Sequence, residues 1–168
     1  TLVLAKGALA EQGDENSIRL VDGQFYIDVS KPVEFKTPYA RFSCFNECKA
    51  LVERSPNEVN IKALSGTWKL SRTGEKKDYE LEPGLQLTIG EVETGGQARM
   101  DFPQSLPWAP TLREWSRLYP GKVEGFKSDA ADFRSAWKEA VESAAQEHAA
   151  AAGRAIASHE AELAQERA

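Results

Sequence analysis

The sequence predicts a mainly β fold of the sandwich, jelly-roll-like or short solenoid-like antiparallel kind, with a short helix and a long C-terminal α-helix. Three observations predict it. From Ile18 to about Phe102, apolar and polar residues alternate in period two, the pattern of strands with one face buried. Turn residues interrupt that alternation at the roughly 8–12-residue spacing of short antiparallel strands. Beyond Phe102 the pattern gives way first to proline and then to alanine.

The strands read in order as Gln24-Phe-Tyr-Ile-Asp-Val, Val33-Glu-Phe-Lys, Ala40-Arg-Phe-Ser-Cys, Val59-Asn-Ile-Lys-Ala-Leu, Thr67-Trp-Lys-Leu and Leu85-Gln-Leu-Thr-Ile. The opening Leu2-Val-Leu-Ala adds an edge strand. Asp22-Gly23, Lys31-Pro32, Thr37-Pro38, Ser55-Pro-Asn, Ser65-Gly66, Thr73-Gly74, Pro83-Gly84 and Gly95-Gly96 separate them, all with turn chemistry. No amphipathic helix interrupts the series, and parallel strands ordinarily need such a crossover. Residues 1–102 therefore form the β domain.

Residues 103–127 read as a connector broken by Pro103, Pro107 and Pro110. Within it Thr111 is expected to cap a short helix running to Tyr119, with Glu114 as capping-box partner and Leu112, Trp115 and Leu118 as apolar face. Residues 128–168 read as one long helix starting at Ser128 or Asp129, since 15 of them are Ala, the strongest helix former. Phe133, Trp137, Val141, His148, Ala152, Ile156, His159 and Leu163 recur at three- or four-residue spacing, the stripe of a helix interface. Its first turns are expected to anchor on the β domain. Its last turns are expected to project or to pair with another helix, in a homo-oligomer or with other domains.

Net charge is −5 and unevenly spread. Residues 1–127 hold 17 basic and 18 acidic side chains, and residues 128–168 hold 4 and 8. Neither part offers the basic face that nucleic-acid binding needs, so nucleic acid is excluded as a partner. No run reaches the roughly 18 apolar residues of a membrane span. The chain opens on Thr1 without a Met and is expected to be a fragment or a processed product.

The two cysteines lie in Ser43-Cys-Phe-Asn-Glu-Cys. A hairpin with Phe45-Asn46-Glu47 at its tip can bring Cys44 and Cys48 to about the 5.5 Å Cα separation a disulfide prefers. Alternatively they are reduced or metal-binding thiols, or two unrelated free ones. Zinc needs about four ligands, and the only histidines, His148 and His159, lie far off in the helical segment. The disulfide is the expectation, and it places the chain in an oxidising compartment. No metal and no cofactor are expected.

Leu20-Val-Asp-Gly-Gln-Phe-Tyr-Ile, Leu64-Ser-Gly-Thr-Trp-Lys-Leu and Leu81-Glu-Pro-Gly-Leu-Gln-Leu share one phrase: leucine, a turn glycine, then alternating apolar residues. The longer run from Ile18 through Val21-Asp-Gly, Lys31-Pro-Val and Thr37-Pro-Tyr-Ala resembles the FecR-domain pattern, over about residues 16–92. The family's Gly-Thr-x-Phe element is replaced here by the Cys44–Cys48 segment. The resemblance implies an extracytoplasmic β domain of the bacterial envelope, periplasmic, that senses or relays a signal through protein contacts. It brings no catalytic residues.

No nucleophile-and-base pair is legible, since both histidines sit on the helix stripe. Glu80/Glu82 and Glu91/Glu93 share strand faces, as solvated residues do, and Gly95-Gly96 is a turn rather than a phosphate loop. The chain is therefore expected to be no enzyme but a protein-interaction or scaffolding module with a protein partner. The alternative is a glycan- or peptidoglycan-binding domain in which Tyr26, Tyr39, Trp68 and Tyr79 form an exposed stacking platform, although Trp68 and Tyr26 alternate with polar neighbours as core residues do, which favours core packing for them.

Overall fold

The computed structural model describes the chain apart from Glu15, Glu93, Pro120, Lys122, Arg167 and Ala168. Side chains are described except those of Leu112, Trp115, Ser116, Val123, Phe126, Asp129, Phe133, Ala136, Trp137, Ala140, Val141, Ala144 and residues 160–166. The elements are β1 (Leu2–Leu4), β2 (Leu9–Gln12), β3 (Ser17–Val29), β4 (Val33–Lys36), β5 (Ala40–Cys44), β6 (Cys48–Arg54) and β7 (Glu58–Ser65). There follow β8 (Trp68–Arg72), β9 (Tyr79–Leu81), β10 (Leu85–Val92), β11 (Ala98–Met100), β12 (Gln104–Ser105), α1 (Trp108–Leu118) and α2 (Val123–Glu166). The chain divides into two compact units, Thr1–Ala130 and Ala131–Ala168.

The fold is mainly β, and its strands belong to one curled sheet organised around β3. The first half of β3 pairs with β2 and β4, while its second half pairs with β1 and β6. From β4 one wing runs β4-β5-β8-β9, and from β6 the other runs β6-β7-β10-β11. Within each wing, successive strands join as hairpins: β4–β5 and β8–β9 in one, β6–β7 and β10–β11 in the other. Between hairpins the chain crosses from wing to wing.

One pair is parallel, Ile18 lying beside Phe35 in β3 and β4. No crossover helix is required, because β3 itself is bent. Only Ser30, Lys31 and Pro32 join β3 to β4, a link of about 14 Å at full stretch. A straight strand of 13 residues would hold Val29 roughly 40 Å from Ser17. Gly23, with φ of 106°, lies where the two halves change partners. A Cβ there would overlap Ala8, so only glycine lets the N-terminal turn cross the bend.

Alternation supplies a core from both wings. Phe25, Ile27, Val52, Ile61 and Ile89 come from one and Leu20, Phe35, Phe42, Trp68 and Leu70 from the other, all buried. Phe35 and Phe42 stack at 5.4 Å between ring centres, and Trp68 packs edge-on to Phe42 at 5.9 Å. Each such side chain contributes about 1.5–3 kcal/mol on burial. The Trp68 indole N–H also reaches across to donate to the Lys49 carbonyl, at 3.3 Å. The open side is closed where the Ala98 N–H donates to the Thr73 carbonyl at 2.9 Å and Arg72 donates to the Ala98 carbonyl at 3.2 Å.

A second cluster, Tyr26, Leu64, Leu106 and Tyr119 with Val3, Leu51, Trp108 and Leu118, lies on the other face of the β3–β6–β7 wing, under α1. The expected cap is corrected here. Helix α1 starts at Trp108, so Thr111 is inside its first turn, and its hydroxyl donates back to the Pro107 carbonyl at 2.7 Å. Glu114 completes no capping box. It accepts from Gln24 Nε2 at 2.9 Å and faces Lys62 at 3.8 Å, pinning the helix to the sheet. Helix α2 likewise starts earlier than Ser128, at Val123.

Candidate functional site

Cys44 ends β5 and Cys48 begins β6, and the two form a disulfide with Cα atoms 6.2 Å apart. The connection is not the expected hairpin. β5 pairs with β4 and β8, and β6 pairs with β3 and β7, so the three residues between them turn a corner from one wing to the other. The bond therefore ties the wings together. Both cysteines are 1% exposed, whereas Phe45 at the corner is 62% exposed, with Lys69 Nζ 5.9 Å from its ring centre. The corner thus presents one aromatic ring on a covalently held support. Sequence reading did not single out Phe45; its place between the two cysteines was the available signal.

The four candidate stacking rings are not brought together. Trp68 is fully enclosed in the main core, and Tyr26 is buried in the second cluster, 6.4 Å from the Tyr119 ring. Tyr39 lies half-buried at the β4–β5 turn, its hydroxyl donating to the Pro56 carbonyl at 2.5 Å. Tyr79 lies half-buried on β9, its hydroxyl donating to the Glu75 carboxylate at 2.9 Å, with Lys77 Nζ 4.9 Å from its ring. Trp68 and Tyr26 are therefore too buried to serve as exposed stacking faces. Sharing a strand face told which rings alternate with polar residues, not which wing they belong to.

Among the helix-interface candidates, His148, Ala152, Ile156 and His159 are exposed on α2, Ile156 by 61%. Phe133, Trp137, Val141 and Leu163 lie outside the described side chains. Other large apolar residues at the surface of the first unit are Leu4, Leu9, Val92 and Phe102, the last 89% exposed.

The electrostatics are local. Arg72 and Glu75 meet at 2.6 Å, and that hydrogen bond holds the Glu75 carboxyl below the usual carboxylate range. The same carboxylate pushes the Tyr79 hydroxyl up. Hydrogen bonds to Asp14 and Glu34 raise the Lys36 ammonium. Burial, with Glu114 nearby as the smaller cause, pushes the Tyr119 hydroxyl up to about 12. Arg54 stands apart. It is 8% exposed, with its guanidinium 5.0 Å above the Tyr39 ring. Its Nε and Nη1 are buried without a hydrogen-bond partner. Among the described residues, no three His, Cys, Asp or Glu side chains gather as a metal site, and no helix is long and apolar enough to cross a membrane.

The fold is similar to that of a crystal structure described as a "putative anti-sigma factor" from Parabacteroides distasonis. The TM-score is 0.50 at 12% identity, covering 67% of this chain and 54% of that one. A second structure from the same organism, described in the same words, matches with a TM-score of 0.43 and 8% identity over 71% of this chain and 75% of that one. At such identities the likeness is one of fold, and the chain spans about half the length of the first structure. No protein-family model and no curated protein matches the chain.

Proposed function

We propose that the chain is a non-enzymatic signal-relay module of the bacterial envelope, extracytoplasmic and working through contact with a protein partner. One observation carries the reading: over 67% of this chain the fold is similar to that of a structure described as a "putative anti-sigma factor". Two features of the sequence and structure support it. The Ile18–Ala40 stretch that resembles FecR domains builds most of β3, β4 and the turn before β5, the centre of this chain's sheet. The Cys44–Cys48 bond fits an oxidising compartment. In this reading the first unit presents a surface to the partner, and α2 contributes self-association or a link to further domains.

The test is genetic. In the native bacterium, removing the segment encoding residues 1–102 in frame should shift the transcription of a discrete set of genes, restored by the intact coding sequence. A transcript profile that does not change, with the truncated product still present, overturns the relay.

A further inference from the structure

Arg54 is turned inward because Ala50, Val52 and Arg54 share one face of β6, the buried face of that strand. The acids nearest it in sequence are directed elsewhere. Glu53 is exposed on the opposite face, and the Glu58 carboxylate meets Arg99 at 3.5 Å. A guanidinium stays charged at any physiological pH, and a buried charge with no ion pair among the described residues is costly to keep. The face of Tyr39 offsets only part of that cost.

The surroundings are built rather than loose. The Thr37 hydroxyl accepts the Ala40 N–H at 3.0 Å and the Tyr39 N–H at 3.3 Å, which fixes the turn carrying the ring. The Tyr39 hydroxyl is bonded to Pro56 on the β6–β7 turn, and that turn is closed by the Ser55 N–H donating to the Glu58 carbonyl at 2.9 Å. Arg54 thus sits at one end of the β unit, between two ordered turns, with Tyr39 as one wall. An unpartnered guanidinium N–H in such a place matches a carboxylate oxygen, to which it donates a charge-assisted hydrogen bond.

We propose that Arg54, walled by Tyr39 and the Ser55–Glu58 turn, is a binding site for a carboxylate, supplied by a small organic acid or by the C-terminus of a peptide. The site is independent of the relay reading, since it needs only the anion.

Melting of the full chain in sodium acetate, against sodium chloride at equal ionic strength, tests it. Saturating acetate should raise the melting temperature by about 2 °C or more. Arg54→Met should lose that dependence, and should melt at or above the parent in chloride because the uncompensated charge is gone. Arg54→Lys should keep a weaker response. A tripeptide with a free C-terminus acting at lower concentration than acetate assigns a peptide end, and equal potency assigns a small acid; its amide should be inert in both cases. Should Arg54→Met not fold, the Arg54 Nε–Hε resonance of the parent decides. Acetate should shift it along a single-site saturation curve. No shift, an equal acetate response in Arg54→Met, a response to phosphate without one to acetate, or a folded Arg54→Met melting far below the parent in chloride would each overturn the site.

Discussion

Cys44 and Cys48 join strands in opposite wings, and the effect of removing their bond can be worked from the chain. The bond closes a loop of about five residues, for which the chain-entropy relation gives about 2 kcal/mol at 25 °C. Replacing both by alanine avoids leaving a thiol or hydroxyl buried at positions that are 1% exposed, so little else should change. The first compact unit holds residues Thr1–Ala130. With an unfolding entropy of about 2.1 cal/mol/K per residue, the loss should lower its melting temperature by about 7 °C. The assay is far-UV circular dichroism on heating, with and without a reductant. The parent with reductant should melt where the double variant melts, and the double variant should ignore the reductant. A fall of less than about 1 °C in the reduced parent would contradict a bond that constrains the unfolded chain. An equal fall in the double variant would show that the reductant acts elsewhere.

Gly74 has φ of 84°, and a Cβ on it would overlap the Gly96 carbonyl where the wings close. Gly74→Ala should therefore cost about 1–3 kcal/mol, read as a lower midpoint in urea; an unchanged midpoint would contradict that closure. Tyr119 holds its proton more tightly folded than unfolded, its hydroxyl being pushed up to about 12 from the ordinary value of about 10. Its contribution to stability is thus present below the unfolded value and lost as pH rises through the folded one. Tyr119→Phe should remove that part of the alkaline decline, while the raised Lys36 and Tyr79 groups contribute equally to both proteins and cancel. Identical pH profiles for parent and Tyr119→Phe would show the hydroxyl to be solvated. Light scattering of the full chain and of a chain ending at residue 144 tests self-association through α2. A dimeric or larger mass should fall to that of a monomer, and a monomeric full chain would remove the helix from that role.

The β class was legible because alternation reports which residues of a strand share a face. It does not report the partner strand. Cys44 to Cys48 suits a hairpin tip and a corner between wings equally well, and nothing in Phe45-Asn46-Glu47 distinguishes them. The parallel β3–β4 pair was hidden for a related reason: the bend at Gly23 looks like any turn glycine until the short Ser30–Pro32 link shows how near the ends of β3 must be. Tyr26 alternates with polar neighbours as a core residue does, and it is buried, but in the second cluster under α1 rather than in the main core. The start of α1 was misplaced because Pro110 reads as a breaker, whereas proline is tolerated within a first helical turn. Arg54 was not singled out, because the strand that carries it, β6, was not among those read from the sequence; nor could the sequence show that, among the described residues, no acid pairs with it.

Site-specific photo-crosslinking in the source cell tests partner contact most directly. A photoreactive residue is placed at Phe45 and at Phe102, with exposed Lys31 as control. A protein-contact module should yield one adduct of discrete mass from the contacting position, lost when excess unlabelled chain is supplied in the same compartment. Labelled chain that is folded and oxidised yet gives no protein adduct from any exposed position would contradict it.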